Sequence, residues 1–151
     1  QLAYWTAFHD ALGRASGPVS GNRKPQPQSW MAYSIGRSGF NLSAVMIRPK
    51  RQVRAELYIS GNDAKAHFHL LQKQRQAIEK ALGYGLDWEK LPTRRDSRIS
   101  VSLRDADPED DSDWPRQHAW LAEKINDLHR VFQGRVRILD VDEWNPEEED
   151  G

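Results

Sequence analysis

Three runs between residues 30 and 59 limit this chain more than any other feature, because their apolar residues recur with a period of two. Met31, Tyr33 and Ile35 alternate with Ala32 and Ser34. Phe40, Leu42, Ala44 and Met46 alternate with Asn41, Ser43 and Val45. Val53, Ala55, Leu57 and Ile59 alternate with Gln52, Arg54, Glu56 and Tyr58. A period of two puts one apolar face and one mostly polar face on a strand. The short links "GRSG" and "RPKRQ" fit turns, so the three runs predict an antiparallel meander.

The rest of the chain supplies helices and further strands. Leu2, Trp5, Phe8, His9 and Leu12 fall at helical spacing. Residues 16–29 are rich in Ser, Gly, Pro and Gln and predict a loop. Ala64, Phe68, Leu71, Ile78 and Leu82 predict one amphipathic helix, with Ser60 or Asn62 as its cap and Gly83 as its stop. "LDWEKL" and "SRISVSL" predict two more strands. Ser112 is positioned to cap a last helix with the stripe Trp114, His118, Leu121, Ile125, Leu128 and Phe132. Gly134 is expected to end it, leaving "RVRIL" as an edge strand. The predicted order is α-β-β-β-α-β-β-α. That order fits an α+β fold, an antiparallel sheet of about five strands with helices on one face. The expected division is one domain over residues 1–140 and a solvated acidic tail over 141–151. Gln1, already inside a helical pattern, reads as the start of a piece of a longer chain.

Composition narrows the function classes. The chain has 151 residues, six Trp and no Cys. Disulfides, cysteine zinc sites and thiol catalysis are thereby excluded, and a cytoplasmic location is expected. The longest apolar run is far too short to cross a bilayer. Net charge is zero but unevenly spread, at +2 over residues 1–30, +8 over 31–104 and −10 over 105–151. Such asymmetry fits a polyanion-binding surface beside an acidic end, or two parts that pair with each other.

No motif carries catalysis. "IGRSGF" has the glycines of a phosphate loop, but a strand follows where a helix would be needed. It reads as a hairpin turn that presents Arg37. Asp63 and Lys65 resemble part of a PD-(D/E)XK signature, yet they open a helix instead of lying on a strand. The five His residues share no spacing for a metal, and the loop of Asp107, Glu109, Asp110, Asp111 and Asp113 lacks a calcium-hand pattern. No cofactor, metal site or catalytic set is assigned, and the chain alone is read as non-catalytic. The outer sheet face is the better candidate. Arg54, Tyr58, Arg98 and Arg104 point away from the helices, Arg48, Lys50 and Arg51 sit in the second hairpin, and Arg37 sits in the first. Arginines, an aromatic ring and small hydroxyls on one face match a nucleic-acid footprint. The plainer alternative is a solvated face whose arginines pair with Glu56.

The stretches "YWTAF", "WMAYSIGRSGF", "AELYISGNDAKAHFHLL", "IEKALGYGLDWEKLP", "SRI" and "WPRQHAWLAEKINDLHRVF" resemble, in order and spacing, the bacterial domain-of-unknown-function family numbered four-two-six-eight. The likeness runs over about residues 2–133. It implies the C-terminal domain of a larger, restriction-endonuclease-like protein, and it transfers no catalytic residue. The expected role is therefore a non-catalytic accessory domain that binds DNA or RNA. The alternatives are a protein-interaction or dimerisation module using exposed Trp30, Trp88, Trp120 or Trp144, and a nucleotide or small-ligand sensor using Arg37. Expected partners are a nucleic acid, an N-terminal nuclease-like domain or a second copy, with no membrane.

Overall fold

In the computed structural model, which describes residues 1–19, 23–91 and 95–146, the alternating runs form the centre of a five-stranded antiparallel sheet. β1 (Trp30–Ser34), β2 (Phe40–Ile47) and β3 (Gln52–Ile59) make the meander. β4 (Asp87–Lys90) and β5 (Ser97–Leu103) complete the order β1-β2-β3-β5-β4. α1 (Leu2–Arg14), α2 (Ala64–Gln72), α3 (Arg75–Leu82) and α4 (Trp114–Arg137) supply the helical layer. This is the expected α+β architecture.

The register places Met31, Tyr33, Leu42, Ala44, Val53, Ala55, Leu57 and Ile99 on the helix-covered face, each nearly or fully buried. Tyr4, Trp5, Phe8 and Leu12 of α1 and Leu121, Ile125, Leu128, Phe132 and Val136 of α4 complete the core. Burial of large side chains drives this packing, at about 1.5–3 kcal/mol each. Some of the polar groups inside it are bonded, whereas His67 Nε2, Ser97 Oγ and His118 Nε2 are buried without a hydrogen-bond partner among the described residues. The Tyr4 hydroxyl donates to Gln117 Oε1 (2.8 Å), and Gln117 Nε2 donates to the Asp107 carbonyl and to Asp113 Oδ2. The α1–β1 loop is pinned to α4 where Val19 N donates to Asn126 Oδ1 (2.8 Å). Gly17 permits this approach, since a Cβ there would lie 2.3 Å from Asn126 Cγ.

Several expectations about elements are corrected. The helix expected over 64–82 is two helices, broken after Gln72 where Gln74 N bonds the Leu71 carbonyl in a tighter turn. Asp63, not Ser60 or Asn62, is its N-cap residue, and Asp113 takes the place expected for Ser112. Gly134 lies inside α4, and "RVRIL" finishes that helix and leaves it through Ile138 without forming a strand. Tertiary contacts override the glycine here. Val136, one turn beyond Phe132, is fully buried, and Arg135 Nε donates to Gln74 Oε1 (3.0 Å) at the start of α3. The residues after α4 also pack. A 3₁₀ turn at Val141–Glu143 leads to Trp144, whose ring stacks on His69 at 9° and 6.3 Å between centroids. Trp144 is half-buried there, while the expected tail residues 147–151 lie outside the described residues.

Candidate functional site

The face of the sheet turned away from the helices is laid out by strand register. One row reads Trp30, Val45, Arg54, Ser102 across β1, β2, β3 and β5. The next reads Ala32, Ser43, Glu56, Ser100, Asp87. A third reads Ser34, Asn41, Tyr58, Arg98, Glu89. The β1–β2 side of this face is mainly apolar or small, and the β3–β5–β4 side is charged.

A polar cleft of about 380 Å³ opens on the charged side, with Lys50, Arg54, Arg98 and Arg104 among its lining together with Gln52, Ser100, Ser102, Asp87 and Glu89. Four of the predicted residues therefore meet in one place. Their ion pairing differs. Arg54 Nε donates to Glu56 Oε1 at 2.7 Å, and both side chains are largely covered, at 16% and 5% exposure. Arg98 Nε bonds Glu89 Oε2 at 2.7 Å in a more open pair. Lys50 is exposed in the turn after β2, Arg104 is exposed just past β5, and neither has an ion-pair partner among the described residues. Tyr58 lies half-buried on the same face, its hydroxyl donating to Asp96 Oδ2 at 2.6 Å.

The second hairpin holds the rest of the basic set. Arg48 and Lys50 flank Pro49 in a 3₁₀ turn closed by Arg51 at φ +50°. The Arg51 carbonyl accepts from Ala106 N (2.9 Å), which ties the turn to the segment after β5. Arg51 itself reaches Asp107 only at 3.9 Å and stays exposed.

Arg37 does not join the others. It lies at the opposite end of β2, about 25 Å of strand from Arg48. Its Nη1 donates to the carbonyls of Val136 (2.8 Å) and Leu139 (2.9 Å) at the C-terminus of α4. That position suits a cation, because the last carbonyls of a helix carry its negative end.

The other polar candidates have structural surroundings. Asp63 and Lys65 open α2 and not a strand. His118 is 3% exposed among Tyr4, Phe8 and Trp114, and burial pushes its imidazole down to about 4. Burial also lowers His67 and His129. Asp113, held by Arg116 and Gln117, is lowered to about 2. Among the described residues no three His, Asp or Glu side chains come together as a metal site. Glu79 accepts from Leu86 N (2.7 Å) and Trp88 Nε1 (3.1 Å), which holds its carboxyl below the usual range and anchors β4 to α3. Trp88, Trp120 and Trp144 are half-buried, whereas Trp30 is 49% exposed. The sequence marks Trp30 as a possible interaction residue but does not link it to the basic face. The link needed the pairing of β1 with β2.

A family described as a domain of unknown function (DUF4268) matches residues 1–136. The chain belongs to this family. The DUF4268 match spans α1 to the last turn of α4, and so takes in the whole sheet and its open face. No curated protein and no solved structure matches the chain. Among the described residues, no helix of this DUF4268 domain is long and apolar enough to cross a membrane.

Proposed function

We propose that this domain binds nucleic acid through the open face of its sheet, as a non-catalytic accessory domain of a larger cytoplasmic protein. The observation that carries the reading is the meeting of Lys50, Arg54, Arg98 and Arg104 around one polar cleft that no helix of the described residues covers. Arg54 and Arg98 are held in place by carboxylates, so they keep fixed positions at reduced net charge. Lys50 and Arg104 supply cations without a carboxylate partner among the described residues, and Arg48 and Arg51 extend them along the turn. Ser102, half-buried, lines the same cleft with a small hydroxyl suited to phosphate oxygens. Basic side chains along one open face are the footprint that a phosphate backbone requires.

The test is fluorescence anisotropy with a labelled 20-mer, as duplex and as single strand, titrated at increasing salt. Affinity should fall with a log–log slope of about −0.9 per phosphate contact on duplex and about −0.7 on single strands. The double variant Lys50→Glu/Arg104→Glu should lose binding. The charge-matched control Arg14→Glu/Arg130→Glu, beside the groove between α1 and α4, should keep it. Absence of binding to both probes at low salt would overturn the proposal, as would equal loss in the two double variants.

A further inference from the structure

Trp30 is one of three large apolar side chains exposed on the described surface, with Leu2 and Ile138. Unlike those two, it stands on the sheet. Its inward neighbour Met31 is buried, so the alternation turns the indole to the open face. Its row runs directly to the cations, since Trp30 pairs with Val45, Val45 with Arg54 and Arg54 with Ser102. Three strand spacings from β1 to β5 cover only about 14 Å. The face therefore joins an exposed aromatic ring to a charged cleft within the length of a short run of nucleotides.

The backbone under Trp30 is fixed. Gln28 Nε2 donates to the Trp30 carbonyl (2.8 Å), and the Gln28 carbonyl accepts from the buried Trp5 Nε1 (2.6 Å). The Ser29 carbonyl accepts from Met46 N (2.9 Å). Ala32 and Val45 beside it are too small to cover a ring of that size. An indole kept half in water costs hydration free energy that burial would recover. Anchoring its backbone to the core while leaving the ring open fits a stacking platform.

We infer, on the basis of the nucleic-acid reading above, that the preferred ligand is a single strand, with one base stacked on Trp30 and the phosphates crossing toward Arg54, Arg104 and Lys50. Ring and cations separate the two chemistries of an unpaired strand, its exposed base faces and its charged backbone. A duplex keeps its base faces inside its own stack and can use only the cations.

Three labelled probes test this at one low salt concentration: oligo-dT, oligo-rU and a 20-base-pair duplex. Trp30→Ala should weaken both single strands about 5- to 150-fold, the usual cost of one lost stacked base. It should change duplex binding less than about twofold. Trp30→Phe should retain most of the single-strand affinity, because it keeps an aromatic face. Trp30→Leu keeps apolar bulk without that face and should behave like Trp30→Ala; it decides the matter if the alanine variant does not fold. Single-strand affinity unchanged in both the Ala and Leu variants, or lost equally on duplex, overturns the inference. If Lys50→Glu/Arg104→Glu still abolishes binding in that case, the basic-face reading stands without the platform. No binding by the parent to any probe overturns both.

Discussion

The two faces of the sheet come from the same alternating strands, yet their residues follow different rules. On the inner face, Leu42, Leu57 and Ile99 need only be apolar and of suitable size, and they reach full burial against α4 and its neighbours. On the outer face, equally regular alternation puts Ser43, Glu56 and Ser100 in one row, and these are nearly as buried although no helix of the described residues covers them. Long neighbours on the same face, Arg54 and Tyr58 flanking Glu56 on β3 and Arg98 beside Ser100 on β5, account for that cover. Burial on the inner face is therefore a matter of layers. On the outer face it is a matter of which side chains lie down on others, and that sets which cations stay available.

The largest expected effect breaks the inner face. Leu57→Ala at its centre, fully buried, should cost about 2–5 kcal/mol in urea unfolding, the usual range for a cavity of this kind. A loss below about 1 kcal/mol would mean that the helical layer does not pack on β3 as described. Acid should act on the same core through His118, whose pKa lies near 4 because its ring is buried, with Arg14 adding repulsion. The sign follows from proton uptake. Above about pH 6.5 the imidazole is neutral in both states and its contribution is complete. As pH falls from about 6.5 to about 4, the unfolded chain takes up a proton that the folded chain refuses, and about 3 kcal/mol of stability is lost. His118→Phe removes that titration. The gap between parent and variant stabilities should therefore shift in the variant's favour between pH 7 and pH 4; parallel curves would show that the ring is not held neutral in the core.

The inner face was legible because its cause is local. Periodicity alone assigns Met31, Leu42, Val53 and Ile99 to one side, and the same pattern yields five strands and their order in the chain. Three features resisted because their causes lie far away in sequence. Gly134 signals a helix end, but Phe132, Val136 and Arg135 gain enough from the sheet and from Gln74 to carry α4 through it. The break after Gln72 has no proline or glycine to announce it. Arg37 sits at a hairpin tip where a solvent-facing ligand group is a reasonable guess, and its carbonyl acceptors are 99 and 102 residues away. The candidate site was half legible for the same reason. Lys50, Arg54, Arg98 and Arg104 follow from alternation plus one turn, while Trp30 joins them only through the β1–β2 register. The possibility that Arg54 pairs with Glu56 was visible in the sequence; the depth of that pair was not.

That depth sets the smallest and most discriminating stability contrast, made within the outer face. Arg54→Ala leaves the Glu56 carboxylate nearly buried without its cation, a loss on the order of 1–3 kcal/mol for a charged hydrogen bond. Arg104→Ala removes an exposed cation with no carboxylate partner among the described residues, and its stability should stay within about 0.5 kcal/mol of the parent. Both side chains line one cleft and both carry one charge, so net charge and location are matched. Urea unfolding at pH 7 separates them. Equal stabilities in the two variants would mean that Glu56 finds water or another donor when Arg54 is gone, and that the outer face is an ordinary solvated surface. A large loss from Arg104→Ala would mean that Arg104 is held by the fold and is not a free cation. The expected pattern, a cost at Arg54 and almost none at Arg104, separates the cation that organises the face from the one that stays exposed beside it.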